Sequence, residues 1–255
     1  MDNEVQCTQT REAWVKEQAE LRTQCETTDR LDFDTHSPDF TGLRLIGGVD
    51  ISYQGSDQAI VAVSVLSFPS LTTLYIHSQQ TEIPAPYIPG FLGFREIPAY
   101  QKALCHLQQT HPELWPQVIL VDGNGLLHPQ RFGSACHLGV KVDVPTVGVA
   151  KNLLHIDGLK TNAKDLKRVF AGNPEVRQVP LVTDDLSRVV GMAVAPPGGA
   201  TNPIFVSTGH RISLTTAVEL VRRCSIHRVP EPIRVADLHS RAALQNAPSP
   251  EITKK

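Results

Sequence analysis

Three apolar stretches rich in β-branched residues follow one another at short intervals in the first third of the chain. They lie at 45–53, 59–68 and 71–79, and they are separated by Gly55-Ser56-Asp57 and by Pro69-Ser70. Runs of this composition bounded by turn residues predict strands, and connections this short predict antiparallel hairpins. The folded body is therefore expected to begin with antiparallel strands.

The pattern then becomes typical of a parallel sheet. A Pro-rich stretch at 83–94 precedes a helix that we expect Pro98 to open. The apolar residues of this helix recur at helical spacing and are Ile97, Tyr100, Leu104 and Leu107. Further on, short apolar strands at 118–121 and 146–150 flank a predicted helix at 132–138. This order is the βαβ unit of a parallel sheet.

The last third of the chain adds strands and two terminal helices. Strands are predicted at 189–195 and 204–207, whereas 152–179 is interpreted as a looser, polar excursion. One helix is capped by Ser213 and ends near Cys224, and a final helix starts near Pro232.

The amino-terminal segment has a weaker pattern. Residues 8–27 carry helix formers with an apolar stripe at Trp14, Leu21 and Cys25, and a polar linker follows. We expect a peripheral helix and linker over 1–42 and one domain over 43–250. Antiparallel hairpins, a βαβ unit and flanking helices together predict an α/β fold with a mixed sheet, for which a ribonuclease H-like architecture is one match.

Composition places the 255-residue chain among ordinary globular proteins, with 41% hydrophobic and 20% charged residues. Its first twenty residues have no apolar core of a signal peptide, and no apolar run approaches the ~20 residues that cross a bilayer. These features predict an intracellular protein, cytoplasmic or nuclear, and we expect a monomer.

Cysteine spacing and net charge narrow the candidate chemistry. The five cysteines are scattered without a CxxC pair, so we expect free, mostly buried thiols rather than disulfides or a zinc site. A net charge of -2 does not indicate a broadly basic nucleic-acid-binding face. Any phosphate contacts must then come from a local cluster.

Acidic residues at strand ends and on helix faces are the candidate chemical groups. Asp50 lies inside an apolar strand, where it either faces water or is compensated by a cation. Asp122 ends a strand at the sheet edge where α/β folds bind ligands, although a turn-forming role is the alternative. Glu96 is expected just before the helix opened by Pro98, where a helix-dipole role is the alternative.

Asp237 lies on the apolar face of the last predicted helix, with Ile233, Ser240 and Leu244. An acid on a buried stripe needs a partner. Oxygen ligands of this kind suit magnesium or manganese, which could activate water and stabilise the leaving oxygen in phosphoryl transfer. Other acids, Asp143 and the pair Asp184-Asp185, are assigned to solvated turns.

Several motifs between 45 and 240 together resemble the endonuclease V family. They are Gly-Gly-Val-Asp50-Ile-Ser, Pro86-Tyr87-Ile88-Pro89-Gly90-Phe91-Leu92, Phe94-Arg95-Glu96, Val121-Asp122-Gly123-Asn124-Gly125, Gly148-Val149-Ala150-Lys151, Ser207-Thr208-Gly209-His210-Arg211-Ile212-Ser213 and Arg234-Val235-Ala236-Asp237.

The resemblance implies a ribonuclease H-like nuclease that cleaves the second phosphodiester on the 3′ side of inosine, leaving 3′-hydroxyl and 5′-phosphate ends. It implies that Asp50, Asp122 and Asp237 bind Mg²⁺, with Mn²⁺ as a substitute. Glu96 would complete the acidic set, and Lys151 and His210 would face the reacting phosphate. Taken alone, such a lysine is usually a solvated strand end, and such a histidine a turn residue.

The resemblance also implies how the base is held. The wedge consists of Pro86, Tyr87, Ile88, Pro89 and Gly90, with Tyr87 entering the space left by the extruded base. The base pocket would be lined by Gly123, Asn124, Gly125, Leu126 and His128. Without the resemblance, the wedge segment would be interpreted as a rigid surface turn.

The substrate implied is inosine-containing RNA, preferably single-stranded, because the motif details are closer to animal members of the family. Deoxyinosine-containing DNA is the alternative. A non-catalytic RNA-binding protein is disfavoured by the four acids, which would repel phosphates. A dinucleotide-binding site is disfavoured because His128 stands where the third fingerprint glycine belongs.

Overall fold

The structure is a computed structural model that describes residues 2–184, 188–199 and 202–246. Its helices are α1 (Asp2–Thr23), α2 (Leu92–Thr110), α3 (Ser134–Val142), α4 (Ala163–Gly172), α5 (Leu214–Arg223) and α6 (Glu231–Asn246). Its strands are β1 (Leu45–Gln54), β2 (Gln58–Ser67), β3 (Thr73–Glu82), β4 (Val118–Asp122), β5 (Thr146–Ala150), β6 (Gln178–Val182), β7 (Val189–Val194) and β8 (Ile204–His210).

All of these strands join one mixed sheet in the order β3-β2-β1-β4-β5-β8-β7-β6. β4 pairs in parallel with both β1 and β5, and all the other neighbouring strands are antiparallel. The predicted α/β fold, a ribonuclease H-like mixed sheet with antiparallel hairpins, a parallel part and flanking helices, is confirmed.

Side-chain alternation along β1 separates two layers of core. Ile46 packs with Ile233 of α6 in one apolar cluster, whereas Val49 packs with Ile97 and Tyr100 of α2 in another. Because successive residues of a strand point to opposite faces, α5 and α6 cover one face of the sheet and α2 and α3 the other. A side chain of β1 is thus directed either to α6 or to α2 by its position alone.

The crossing of α6 over β1 is unusually close. A Cβ atom at Gly48 would overlap the carbonyl group of Pro232, so only glycine permits this approach. Ser64 of β2 fixes the same point by donating a 2.7 Å hydrogen bond to the Pro232 carbonyl. The helix therefore rests on the sheet, with its later turns above the end of β1.

Several predicted element bounds are wrong. α2 begins at Leu92, so Pro98 lies inside it rather than opening it, and Glu96 is a helical residue. Proline removes one backbone hydrogen bond, but the buried Ile97 and Tyr100 hold the helix to the sheet. α1 spans Asp2–Thr23 rather than 8–27.

The expected polar excursion at 152–179 contains helix α4 and the start of β6. Asn162 caps α4 by accepting a 3.0 Å hydrogen bond from the Asp165 amide, and Leu166 and Phe170 are buried beneath it. The two apolar residues at i and i+4 are enough for one helical face in a short helix. Among other bounds, α3 runs over 134–142, β3 over 73–82 and β8 as far as His210.

The thiols are less buried than expected. Cys136 and Cys224 are buried, Cys25 is half-buried, and Cys7 and Cys105 are exposed. All five are free, as predicted. Across the described residues, no helix combines the length and apolar character needed to cross a membrane. The division of the chain into 1–42 and 43–250 stays a prediction.

Candidate active site

Three carboxylates meet where β1 and β4 end. Val49 of β1 is paired with Val121 of β4, so the next residues, Asp50 and Asp122, lie side by side on the face covered by α6. Asp237 reaches them from α6, and carboxylate oxygens of the three residues all lie within 4.8 Å of one another. The structure thus brings together three acids that are far apart in sequence.

Hydroxyl groups hold the most buried acid of this cluster. Asp50 is only 4% exposed, and the Ser240 hydroxyl donates a 2.7 Å hydrogen bond to its Oδ2. Ser52 Oγ lies 2.8 Å from Ser240 Oγ and extends this network. The orientation of Asp50 is therefore set jointly by β1 and α6.

Basic side chains compensate the other two acids. Lys151, which follows β5, places its Nζ 2.6 Å from Asp122 Oδ2 and 3.3 Å from Asp237 Oδ1. The Arg241 guanidinium is 2.8 Å from the same oxygen of Asp237. Lys151 is held in turn by Arg228, whose Nη2 donates a 2.6 Å hydrogen bond to the Lys151 carbonyl.

The protonation of the cluster follows from burial and mutual repulsion. Burial raises the pKa of Asp50 to about 7, and the charges of Asp122 and Asp237 add to this rise while the Ser240 hydrogen bond opposes it. Burial alone would lower the pKa of Lys151, but its hydrogen bond to Asp122 and the surrounding carboxylates raise it overall. The basic side chains therefore do not fully offset the repulsion among the three carboxylates.

The donor set fits a divalent metal ion. Three carboxylates that repel one another and offer several oxygens at close range are suited to a hard cation, which would remove the repulsion. The adjoining serines keep Asp50 oriented for such a role. The three acids that would hold such an ion are carried by β1, β4 and α6.

Asp50→Asn is expected to stabilise the metal-free protein at neutral pH. Because the folded-state pKa of Asp50 is raised above its ordinary 3.8 to about 7, the folded chain retains a proton that the unfolded chain has released. The free energy of unfolding of the parent therefore falls relative to the variant as pH rises through this window, by on the order of 2 kcal/mol. Denaturant titrations in EDTA at pH about 5 and about 8 measure the difference. An equal difference at both pH values contradicts it.

Glu96 lies beside the three acids but on the α2 side of the sheet. It is buried, and its oxygens accept hydrogen bonds of 3.1 Å from the Tyr53 hydroxyl and 3.3 Å from the Ser134 hydroxyl. Burial raises the pKa of Glu96 to about 8, an effect that these two hydrogen bonds reduce and the charges of Asp122 and Asp50 increase. Glu96 is thus electrostatically coupled to the cluster. The prediction that Glu96 stands just before this helix was wrong, because it lies inside α2.

A pocket of about 360 Å³ adjoins these acids. Six of the residues predicted to bind substrate line it, namely Tyr87, Pro89, Gly90, Gly123, Asn124 and His128. Burial lowers the pKa of His128 to about 4 and that of His137, which also lines the pocket, to about 3. Both histidines are therefore neutral near pH 7, and the pocket favours an uncharged group over an anion.

The other predicted substrate residues support this pocket from behind or lie outside it. Within the wedge, Ile88 is buried and Pro86 is exposed. Gly125 donates a 2.9 Å hydrogen bond to Ser207 Oγ and packs too closely on Thr208 for any side chain. Leu126 faces a separate cavity.

Tyr87 is the aromatic residue of the wedge. It is 65% exposed, and the Arg95 guanidinium lies 5.9 Å from the centre of its ring. Arg95 is itself fixed by a 2.7 Å hydrogen bond from Nη2 to the Ser56 carbonyl. Tyr87 therefore presents an accessible ring at the pocket mouth with one face supported by a cation.

Helix α1 contributes to the pocket, which sequence analysis did not predict. Gln18 is buried and its Nε2 donates to the carbonyl oxygens of Phe132 at 3.1 Å and Gly90 at 3.3 Å. Trp14 stacks on Phe94 with 4.9 Å between ring centroids. The available signal was the position of Gln18, one turn after Trp14 on the same helical stripe.

His210 does not join the cluster. β8 runs antiparallel to β5, with His210 opposite Thr146 and Phe205 opposite Ala150. His210 consequently lies at the start of β5, about 15 Å along the strand from Lys151. It is 3% exposed, and its Nδ1 accepts a 3.2 Å hydrogen bond from the Glu26 amide. The expectation that His210 faces the reacting phosphate is not supported by this position.

Sequence comparison finds similarity to endonuclease V proteins over most of the chain. The endonuclease V family model matches residues 24–238. The chain is 43% identical to mouse endonuclease V over 234 residues, covering 89% of this chain and 68% of that protein. It is 42% identical to human endonuclease V over 240 residues, covering 92% and 83%, respectively.

Solved structures extend the similarity to three dimensions. The catalytic domain of human endonuclease V superposes with a TM-score of 0.87 at 41% identity, covering 93% of this chain and 97% of that one. Endonuclease V from Ciona intestinalis, bound to a 24-mer DNA containing an inosine followed by a ribo-adenosine, has a TM-score of 0.85 at 34% identity. The match covers 93% of this chain and 99% of the Ciona chain.

Proposed function

The chain belongs to the endonuclease V family, and from this premise we propose that it is a Mg²⁺-dependent nuclease that cuts RNA beside inosine. The bond cut is the second phosphodiester on the 3′ side of inosine, and the products carry 3′-hydroxyl and 5′-phosphate ends. The observation that carries the proposal is the cluster of Asp50, Asp122 and Asp237 beside a pocket with an exposed tyrosine at its mouth.

Asp50, Asp122 and Asp237 would hold Mg²⁺, for which Mn²⁺ would substitute. When bound, such an ion lowers the pKa of water and offsets the charge that develops on the phosphate. Ser240 keeps Asp50 turned toward the other acids. Glu96, which accepts hydrogen bonds from Tyr53 and Ser134, would complete the acidic set on the α2 side.

Lys151 would contact the reacting phosphate. Its ammonium group carries three donors, of which two are directed to Asp122 and Asp237. A phosphate oxygen at the edge of the cluster would accept the remaining one. Lys151 would thereby orient the scissile phosphate and stabilise its negative charge.

The pocket would receive the inosine base. Gln130 donates its backbone N–H to His128 Nδ1 at 3.3 Å, so the neutral ring carries its proton on Nε2 and offers a donor to a base. Hypoxanthine has a carbonyl oxygen where adenine has an amino group. Tyr87 would stack in the space that the extruded base leaves. The inosine-containing strand bound by the Ciona protein supports this assignment.

RNA is proposed as the preferred substrate, in single-stranded form, with deoxyinosine in DNA as the alternative. The strand bound by the Ciona protein has a ribonucleotide directly after the inosine, which supports a contact to a 2′-hydroxyl. An unpaired polar group in the DNA complex costs about 1 to 3 kcal/mol, which corresponds to about 5- to 150-fold discrimination. A monomer in the cytoplasm or nucleus is the form proposed to act.

Single-turnover cleavage of a DNA strand with one deoxyinosine and one ribonucleotide tests the activity and the preference together. We expect cutting only with a divalent cation, and a rate about 5- to 150-fold faster when the ribonucleotide stands next to the scissile bond. Moving the ribonucleotide step by step provides the control. Rates that are uniform along this series and equal to all-DNA remove the RNA preference, whereas no inosine-directed cutting at all overturns the proposed function.

Tyr87→Ala is expected to weaken binding of inosine-containing strands by about 5- to 150-fold, because base stacking on an aromatic ring contributes about 1 to 3 kcal/mol. Tyr87→Phe should retain most of the binding, since the ring and not the hydroxyl supplies the stacking surface. Binding titrations with matched inosine and adenosine strands measure the effect. Equal affinity of the parent and the alanine variant shows that Tyr87 is only a turn residue.

A further inference from the structure

A second cavity lies on the other side of the turn that forms the base pocket. It has a volume of about 240 Å³ and we name it the arginine cavity. Its lining residues are Arg22, Cys25, Thr27, Leu126, Arg131, Arg188, Val189 and Val190. Three are arginines, and among the described residues that line it none is acidic.

The three arginines come from different elements and converge on this cavity. Arg22 belongs to the last turn of α1, and Arg188 directly precedes β7. Arg131 follows the base-pocket turn, where its amide donates a 2.8 Å hydrogen bond to the His128 carbonyl. Its Nη2 donates at 3.2 Å to the buried Thr183 hydroxyl, which directs the guanidinium toward the strand ends. The convergence is therefore a product of the tertiary fold.

The arginine cavity and the base pocket share one segment of chain. Gly123 and His128 line the pocket, whereas Leu126 and Arg131 line the cavity. Three residues of extended chain span at most about 10 Å, so the two spaces are close neighbours. A nucleic-acid strand that leaves the base pocket therefore reaches the arginine cavity within a few nucleotides.

We propose that the arginine cavity is a phosphate subsite that binds the substrate strand a few nucleotides from the inosine, an inference that rests on the proposed function. Guanidinium groups bind phosphate oxygens through paired hydrogen bonds and remain charged at every physiological pH. The chain as a whole has a net charge of -2, so its attraction for a polyanion must be local. The arginine cavity supplies that local positive field, and α1 provides part of it.

The test combines Arg22→Glu and Arg188→Glu, two exposed positions, in the full chain. We expect affinity for a single strand of about 20 nucleotides to fall at least about tenfold at moderate salt. The slope of log affinity against log salt should decrease in magnitude by about 1.4, since each single-strand phosphate contact contributes about 0.7. Binding is measured in metal-free buffer with inosine and adenosine strands, and the loss should be equal for both because phosphate contacts carry no sequence information.

The matched control is Arg11→Glu with Arg168→Glu, which changes net charge equally at exposed positions outside the arginine cavity. This control should bind like the parent. If both double variants lose the same affinity, or if the Arg22 and Arg188 variant keeps the parent salt slope, the subsite is excluded. Competition by inorganic phosphate alone, with no effect of strand length, would likewise assign the arginines to a small anion and overturn a strand subsite.

Failure of the proposed function is recognised separately. Mg²⁺-dependent cleavage of a short inosine strand that cannot reach the arginine cavity should be the same in the parent and the Arg22 and Arg188 variant. If neither protein cuts this strand, the proposed nuclease function is wrong. If both cut it equally and long-strand binding is also unchanged, the function stands and only the subsite is overturned.

Discussion

Asp122→Asn is expected to reduce cleavage of inosine-containing strands at least about 1000-fold while leaving the protein folded. The carboxylate lies within 4.8 Å of the Asp50 and Asp237 oxygens and is the closest partner of Lys151. Removing its charge weakens metal binding and leaves Asp237 as the remaining acidic partner of the ammonium group. A loss of about 4 kcal/mol of transition-state stabilisation corresponds to this factor. Single-turnover rates with saturating enzyme and Mg²⁺ measure the loss.

The control for this variant is Asp143→Asn, which makes the same chemical change at an exposed ion pair with Arg211. That variant should cleave at the parent rate. Thermal unfolding with and without Mg²⁺ separates a lost ligand from a lost fold, because a cation that binds only the folded state raises the melting temperature. An Asp122→Asn protein that still turns over in Mg²⁺ contradicts the assignment of the acid cluster.

Gly48→Ala is expected to destabilise the protein by about 3 kcal/mol or more and to abolish cleavage. The added Cβ would overlap the carbonyl carbon and oxygen of Pro232. These two atoms belong to the backbone, so neither a rotamer change nor a small side-chain shift relieves the clash. α6 must then move away from β1. Asp237 and Ser240 move with it, so the cluster loses one carboxylate and the hydrogen-bond donor to Asp50. Denaturant unfolding and single-turnover cleavage measure the two effects.

The matched control is Gly172→Ala, at the end of α4, where an added Cβ meets nothing within 4 Å. This change should leave stability and cleavage near the parent values. Serine has a larger side chain than alanine, so Gly48→Ser should be tolerated no better than Gly48→Ala, even if Gly48→Ala already unfolds the chain. A Gly48→Ala protein with parent stability and activity would show that Gly48 of β1 does not lie against the Pro232 carbonyl of α6.

The acid cluster could be predicted because each acid interrupts an apolar pattern. Asp50 and Asp122 stand on strands whose neighbours are buried, and Asp237 stands on the apolar stripe of α6. A carboxylate in such a position requires compensation, and strand order places two of them at one edge. The mixed sheet followed from the same periodicity.

The errors arose where tertiary packing overrides local signals. Pro98 normally starts a helix, but burial of the α2 face extends this one by two turns before it. The last strand was predicted to end at Ser207, whereas β8 continues through His210 and places this residue away from the acids. Gln18 is polar on an otherwise apolar stripe, and its two carbonyl partners, at Gly90 and Phe132, are too distant in sequence to be inferred locally.

Asp50 and its partners on α6 are far apart in sequence, which determines when the acid cluster can form during synthesis of the chain. Asp50 leaves the ribosome early, but its hydrogen-bond donor Ser240 is 190 positions later in the chain. A nascent chain that has not yet exposed α6 can form the hairpins of β1 to β3, but it lacks the third carboxylate. Because α6 also closes over β1 at Gly48, its docking completes the core and the acid cluster in one event. An incompletely synthesised chain would therefore be inert, and hydrolytic competence would emerge only with the last helix.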